Sequence, residues 1–204
     1  MRTAAKIISI LFHPLLLATY LVMIVGFYFP AMLSIAPQNF KIILGFVFCF
    51  TFLLPVVNII MFRYFGTISS FTMHARTERV VPFVAIAVIY LVMVFLFYNK
   101  LQVFANVNKL MGIVTTMVVV SAAITFFYKV SIHSLAACGM IGILLPLNKA
   151  LENNVLLWPT AIALVIAGLI MSVRLYLNAH TFNEVLMGGL VGFSIGFAGM
   201  LIMF

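Results

Sequence analysis

A helix that crosses the hydrocarbon core of a bilayer needs roughly 20 consecutive apolar residues, because the core is about 30 Å thick. This chain contains seven runs that approach or exceed that length, at 7–29, 41–62, 80–98, 109–128, 132–148, 155–177 and 182–204. No water is present in the core to satisfy backbone N–H and C=O groups, so runs of this kind must be helical. The sequence therefore reads as an all-α, polytopic transmembrane helix bundle of about six to seven spans, forming a single membrane-embedded domain over 1–204. The count stays open by one because 132–148 is short and 182–204 is glycine-rich. With 66% hydrophobic residues, 7% charged residues and a mean hydropathy of +1.32, the chain lies outside the composition of soluble domains.

Arg2 and Lys6 precede the first run in the manner of a signal peptide. That run reaches Phe29, longer than the roughly 7–15 residues of such a segment, and no small-residue cleavage site follows, so it is expected to be retained as the first span. Cys49 and Cys138 both fall inside apolar runs, where cysteine behaves as a small hydrophobe.

The polar residues are few and unevenly placed. Seven spans put the N-terminus, 63–79, 129–131 and 178–181 on one face, with Arg2, Lys6, Arg63, Arg76, Arg79, Lys129 and Arg174; the opposite face holds Lys41, Lys100, Lys109 and Lys149. In a membrane protein a net charge of +8 points to anionic lipid head groups and not to nucleic acid. The seven-to-four bias would put the first face in the cytoplasm under the positive-inside rule, unless those cations serve a site. The same face gathers His74, His133 and His180 with Glu78 and Glu184. Ionisable groups near the membrane are costly and usually functional. His13, beside Pro14, reads instead as a packing or interface residue.

Three stretches carry the chemistry. In "SVRLYLNAHTFNEVLMGG", Arg174, His180 and Glu184 form R-x5-H-x3-E, and a helix beginning near Thr181 puts His180 at its N-terminus with Glu184 one turn along the same side. A glutamate there fixes the imidazole tautomer and leaves the other nitrogen free as a nucleophile. The helix N-terminus and a bidentate arginine both favour phosphate oxygens. The plainer reading has Arg174 snorkelling, His180 capping and Glu184 balancing charge. "YKVSIHSLAACG" adds Lys129, Ser131, His133 and Ser134, where His133 is suited to protonate a leaving alkoxide and Ser131 to cap a helix. "HARTERVVPF" brings Arg76 and Arg79, which could hold phosphoryl oxygens or line a solvated basic loop.

In this order the three stretches resemble the membrane-bound type 2 phosphatidic acid phosphatase superfamily, whose motifs are written KxxxxxxRP, PSGH and SRxxxxxHxxxD. The third is reproduced by Arg174, His180 and Glu184, with glutamate where aspartate is usual. The resemblance implies that His180 attacks phosphorus, Glu184 orients it and Arg174 binds phosphate, and it assigns leaving-group protonation to His133. Ser131 matches the serine of the second motif, with Val130 and Ile132 in place of proline and glycine. In the first motif Arg79 is followed by Pro82 three residues on and lacks the expected lysine, for which Arg76 or Lys129 are the candidate substitutes. The match is closest over 128–204.

The expected activity is removal of phosphate from a membrane lipid phosphate or diphosphate, such as phosphatidic acid, phosphatidylglycerol phosphate, a polyprenyl diphosphate or a lipid A phosphate. The catalytic residues would be His180, His133 and Glu184, and the phosphate-binding residues Arg174, Arg79, Arg76, Ser131 and Lys129. Fixed cations and a helix N-terminus can meet the transition-state charge, so neither a metal nor another cofactor is expected. The resemblance favours an active site at the extracytoplasmic face of the cell membrane. Two other readings fit the same residues: an inactive relative that binds or moves lipid, and a haem or proton-relay protein using His133 and His180.

Overall fold

The computed structural model describes residues 2–71, 73, 76–100, 105–150 and 155–204, with the side chains of Lys100 and Ala150 also left aside. His74, grouped with the site on sequence grounds, lies outside the described residues. Every regular element among the described residues is helical: α1 Arg2–Leu11, α2 Pro14–Tyr28, α3 Pro30–Leu33, α4 Pro37–Phe48, a π-helical turn Cys49–Leu53, α5 Leu54–Tyr64, α6 Thr77–Lys100, α7 Ala105–Thr125, α8 Ile132–Ala150, α9 Leu157–Tyr176 and α10 Phe182–Met203. Six helices are individually long and apolar enough to cross a membrane, and α1 with α2 gives a seventh candidate. Large apolar side chains such as Ile162, Leu164, Val165 and Ile202 face outward, as a lipid-exposed surface requires.

The first span differs from the sequence expectation. The run 7–29 is not one helix, because the chain bends by 56° between α1 and α2. Pro14 has no N–H to continue the ladder and disfavours helical geometry in the residue before it, so His13 is extended at φ −63° and ψ 136°. The ends made by this break are satisfied locally: the Leu15 N–H donates to His13 Nδ1 over 3.4 Å, and the Tyr20 hydroxyl donates to the Leu11 carbonyl over 3.1 Å.

Proline acts differently in the second span, which runs through Pro37–Tyr64 without a sharp bend. Pro55 cannot donate to the carbonyl of Thr51, and the helix widens into the π turn there. The Tyr90 hydroxyl of α6 donates to that carbonyl over 3.0 Å, while the Thr51 and Thr19 hydroxyls pair at 3.3 Å. The carbonyl freed by proline thus links the second span to α6, and the hydroxyl of the same residue links it to α2.

The closest packing is between α8 and α10. Gly188, Gly192 and Gly196 recur every four residues on one side of α10 and are all buried. A Cβ added to them would run into the backbone carbonyls of Ser131, Leu135 and Gly139, respectively. The seam continues to the helix starts, where the Ser131 N–H donates to the Glu184 carbonyl over 3.1 Å. It fixes the beginning of α8 against the beginning of α10. Gly168 of α9 faces open space by contrast. Gly192→Ala should therefore lower stability by about 1–3 kcal/mol, the usual cost of overpacking, whereas Gly168→Ala should leave the thermal unfolding midpoint unchanged or raised. Thermal denaturation of the two purified variants side by side checks this; equal midpoints would mean that the seam gives way at little cost.

Candidate active site

The spacing of R-x5-H reflects a chain reversal. Arg174 lies in the last turn of α9, and the chain leaves that helix through Leu177 and Asn178, the latter in the left-handed region at φ 50°, where asparagine is favoured. The Ala179 N–H still reaches the Arg174 carbonyl at 3.2 Å, so the turn is tied to the arginine's own backbone. His180 follows, and Thr181 caps α10.

That cap places the imidazole. The Glu184 N–H donates to Thr181 Oγ1, and Glu184 Oε2 accepts from the Thr181 N–H, both at 3.4 Å, forming a capping box. The same Oε2 lies 2.6 Å from His180 Nδ1. A carboxylate only accepts, so Nδ1 carries the hydrogen and the Nε2 lone pair is free. The His180 side chain is only 3% exposed. Burial pushes its pKa down to about 4; the hydrogen bond to Glu184 acts in the opposite direction, while the charges of Arg79 and Arg174 lower it further. At neutral pH the ring is therefore an uncharged base.

Arg79, His133 and Arg174 complete the polar group. Arg79 is buried at the start of α6 with Nε donating to the Met73 carbonyl over 2.8 Å, which leaves its terminal nitrogens for other partners. Arg174 Nη1 reaches Ser9 Oγ at 3.5 Å, and its buried Nε has no hydrogen-bond partner among the described residues. His133 Nε2 donates to the Ser9 carbonyl over 3.3 Å, and its ring meets that of His13 edge-on with centroids 5.6 Å apart. Arg79, His133, Arg174 and His180 all border one cavity of about 710 Å³.

The other described residues proposed for the site from sequence do not border that cavity. Glu184 stands behind His180 as its hydrogen-bond partner. Lys129 Nζ is 4.0 Å from Glu184 Oε2, and Arg76 is exposed with Nη1 donating to the Phe126 carbonyl over 2.7 Å. Ser131 is fully buried and caps α8: its Oγ accepts from the Ser134 hydroxyl at 2.9 Å and from the Ser134 N–H at 3.4 Å. Glu78 accepts from the Ser69 N–H over 3.2 Å and so ties the loop before α6. Lys6, Ser9 and His13 do border the cavity and were not among the sequence candidates. On sequence, Arg2 and Lys6 read as the basic start of a signal-like first run and as charges that orient insertion, and His13 as a packing or interface residue.

The alternation of buried histidine and arginine can be tested without any assay of function. The imidazole nitrogen signals of His180, identified by their loss in His180→Gln, should report the neutral Nδ1–H tautomer at neutral pH and show protonation only as the pH approaches about 4. Nitrogen chemical shifts of a protonated ring near neutral pH would contradict the buried geometry.

Residues 125–204 match the family model described as the PAP2 superfamily. The matched segment carries His133, Arg174, His180 and Glu184, while Arg79 and α1 lie outside it. Neither the curated proteins nor the solved structures give a match to the chain.

Proposed function

We propose that this protein, which matches the PAP2 superfamily over residues 125–204, releases phosphate from a membrane lipid phosphate or diphosphate through a phosphohistidine on His180. The observation that carries the reading is the continuity of the cavity. Its polar end holds Arg79, Arg174, His133 and His180, and the same space continues along α6 past Phe83 and Ile86 to Tyr90. From Arg79 to Tyr90 a helix rises about 16 Å, roughly half the hydrocarbon thickness. A phosphate head with an apolar tail matches both ends; a soluble phosphate ester would use only one.

In the reaction, Nε2 of His180 attacks phosphorus and the bond from phosphorus to the lipid oxygen breaks. The electron pair departs with that oxygen, which takes a proton from His133. A bound phosphate places negative charge beside the His133 ring and so favours the imidazolium able to donate. Glu184 holds the Nδ1 hydrogen and stabilises the positive charge that develops on His180. Arg79 and Arg174 meet the charge on the equatorial oxygens. Water then attacks the phosphohistidine, releasing inorganic phosphate and restoring the ring.

His180→Ala should abolish turnover of every substrate. His133→Ala should cost a lipid phosphate about 10²–10⁴-fold, the usual worth of acid–base catalysis, and cost a nitrophenyl phosphate much less, since nitrophenolate leaves without a proton. The comparison is made in single turnover so that formation of the phosphohistidine is what is measured. Equal losses on both substrates would assign His133 to positioning phosphate. Because the charge is met by side chains, the same assays should be unchanged by excess EDTA; loss of activity restored by Mg²⁺ would overturn the mechanism. Lipid binding by the wild-type protein without phosphate release would favour the inactive relative.

The site is further proposed to face the extracytoplasmic side of the cell membrane. Asn183, exposed in the first turn of α10, provides the probe. With Cys49 and Cys138 replaced, Asn183→Cys should react with a membrane-impermeant thiol reagent in intact cells. Protection until lysis would reverse the orientation.

A further inference from the structure

The polar end of the cavity is closed by a part of the chain outside the family segment. Lys6, Ser9 and His13, from the N-terminal part of the chain, border it together with residues of α6, α8 and α9. Ser9 fixes α1 there by two contacts, one from Arg174 Nη1 to its hydroxyl and one from His133 Nε2 to its carbonyl. Lys6 precedes Ser9 by three residues, so both lie on the same face of α1. Lys6 is exposed and has no hydrogen bond or ion pair among the described residues. The two cations that sequence offered as the missing third are engaged elsewhere, Arg76 on the Phe126 carbonyl and Lys129 beside Glu184.

We propose that Lys6 is a phosphate-binding residue of the site, supplied by α1 and acting with Arg79 and Arg174. This assignment rests on the lipid-phosphatase reading for its substrate, a phosphorylated amphiphile. The phosphoryl group carries its charge on three equatorial oxygens, and two arginines with one lysine present a cation for each. Lysine suits the position at the rim, since an ammonium on a flexible stem follows a head group that enters from the membrane surface, whereas the planar guanidinium groups are held in place. The 56° bend between α1 and α2 turns α1 away from the axis of α2, and Lys6 of α1 borders the cavity.

The test uses the full chain in detergent with three substitutions: Lys6→Met, Lys6→Arg and Arg2→Met. Arg2 is exposed on the same helix and does not border the cavity, so it controls for attraction of anionic lipid by surface charge. Lys6→Met should raise KM for a lipid phosphate and weaken calorimetric binding of inorganic phosphate by roughly 10-fold, the worth of one charge-assisted hydrogen bond. Lys6→Arg should restore most of both, Arg2→Met should change neither, and all three should unfold at the wild-type temperature. Equal effects from Arg2→Met, unchanged phosphate binding in Lys6→Met, or no binding of inorganic phosphate by the wild-type protein would overturn the assignment. Phosphate binding that depends on Lys6, in a protein that hydrolyses no lipid phosphate, would keep Lys6 as a ligand and remove the phosphatase reading instead.

Discussion

The arrangement depends first on the close approach of α8 and α10. Lipid tails are as apolar as the side chains they contact, so helices in a bilayer associate through packing and hydrogen bonding more than through apolar burial. Gly188, Gly192 and Gly196 allow the α10 backbone to rest on the carbonyls of Ser131, Leu135 and Gly139. The bond from the Ser131 N–H to the Glu184 carbonyl extends this contact to the helix starts. His133 and His180 are thereby carried on two helix ends that cannot slide past one another. A reaction needing a nucleophile on one and a proton donor on the other requires that fixed relation.

The rest of the bundle shows how polar groups are kept inside an apolar shell. Pro55 leaves the Thr51 carbonyl without its helical partner, and the Tyr90 hydroxyl takes that place from α6. The unpaired carbonyl would be expensive in hydrocarbon; paired, it joins the second span to α6, while the Thr51 hydroxyl joins the second span to α2. Arg79 and Arg174, in contrast, border one cavity together with His133 and His180. Tyr90 belongs to both features, since it also borders the inner part of the cavity.

What sequence could show follows from the range of the interactions involved. Hydropathy placed the spans, because the requirement for an apolar run is local. The pair His180 and Glu184 was also legible, since one helical turn separates them and Thr181 is a strong N-cap. The break at Pro14 was hidden by hydropathy alone, as Phe12, Pro14 and the residues around them keep the run apolar while the backbone changes direction. The contribution of α1 followed from that break and was hidden with it: Ser9 lies 124 residues from His133 and 165 from Arg174, and no local pattern joins them. Arg76 and Lys129 show the converse. Their sequence position suited a phosphate site, but a carbonyl and a carboxylate nearby engage them.

The contacts of Ser9 also bear on how substrate enters. Arg174 Nη1 and His133 Nε2, the donors that phosphate and leaving oxygen would use, are both directed at Ser9. A buried donor left without an acceptor costs about 1–3 kcal/mol, so an open site with both groups bare would be unfavourable. Ser9 removes that cost before substrate arrives. An entering phosphate must take over the same donors, and its oxygens are stronger acceptors than a hydroxyl and a carbonyl because they are charged. The exchange keeps each donor paired in both states, and the energy gained is the difference between two hydrogen-bonded arrangements instead of the whole of one. Ser9 belongs to α1, which meets α2 at the bend at His13–Pro14, where the backbone ladder is already interrupted. On the proposed reading, substrate entry would thus engage α1, which lies outside the segment that matches the family model.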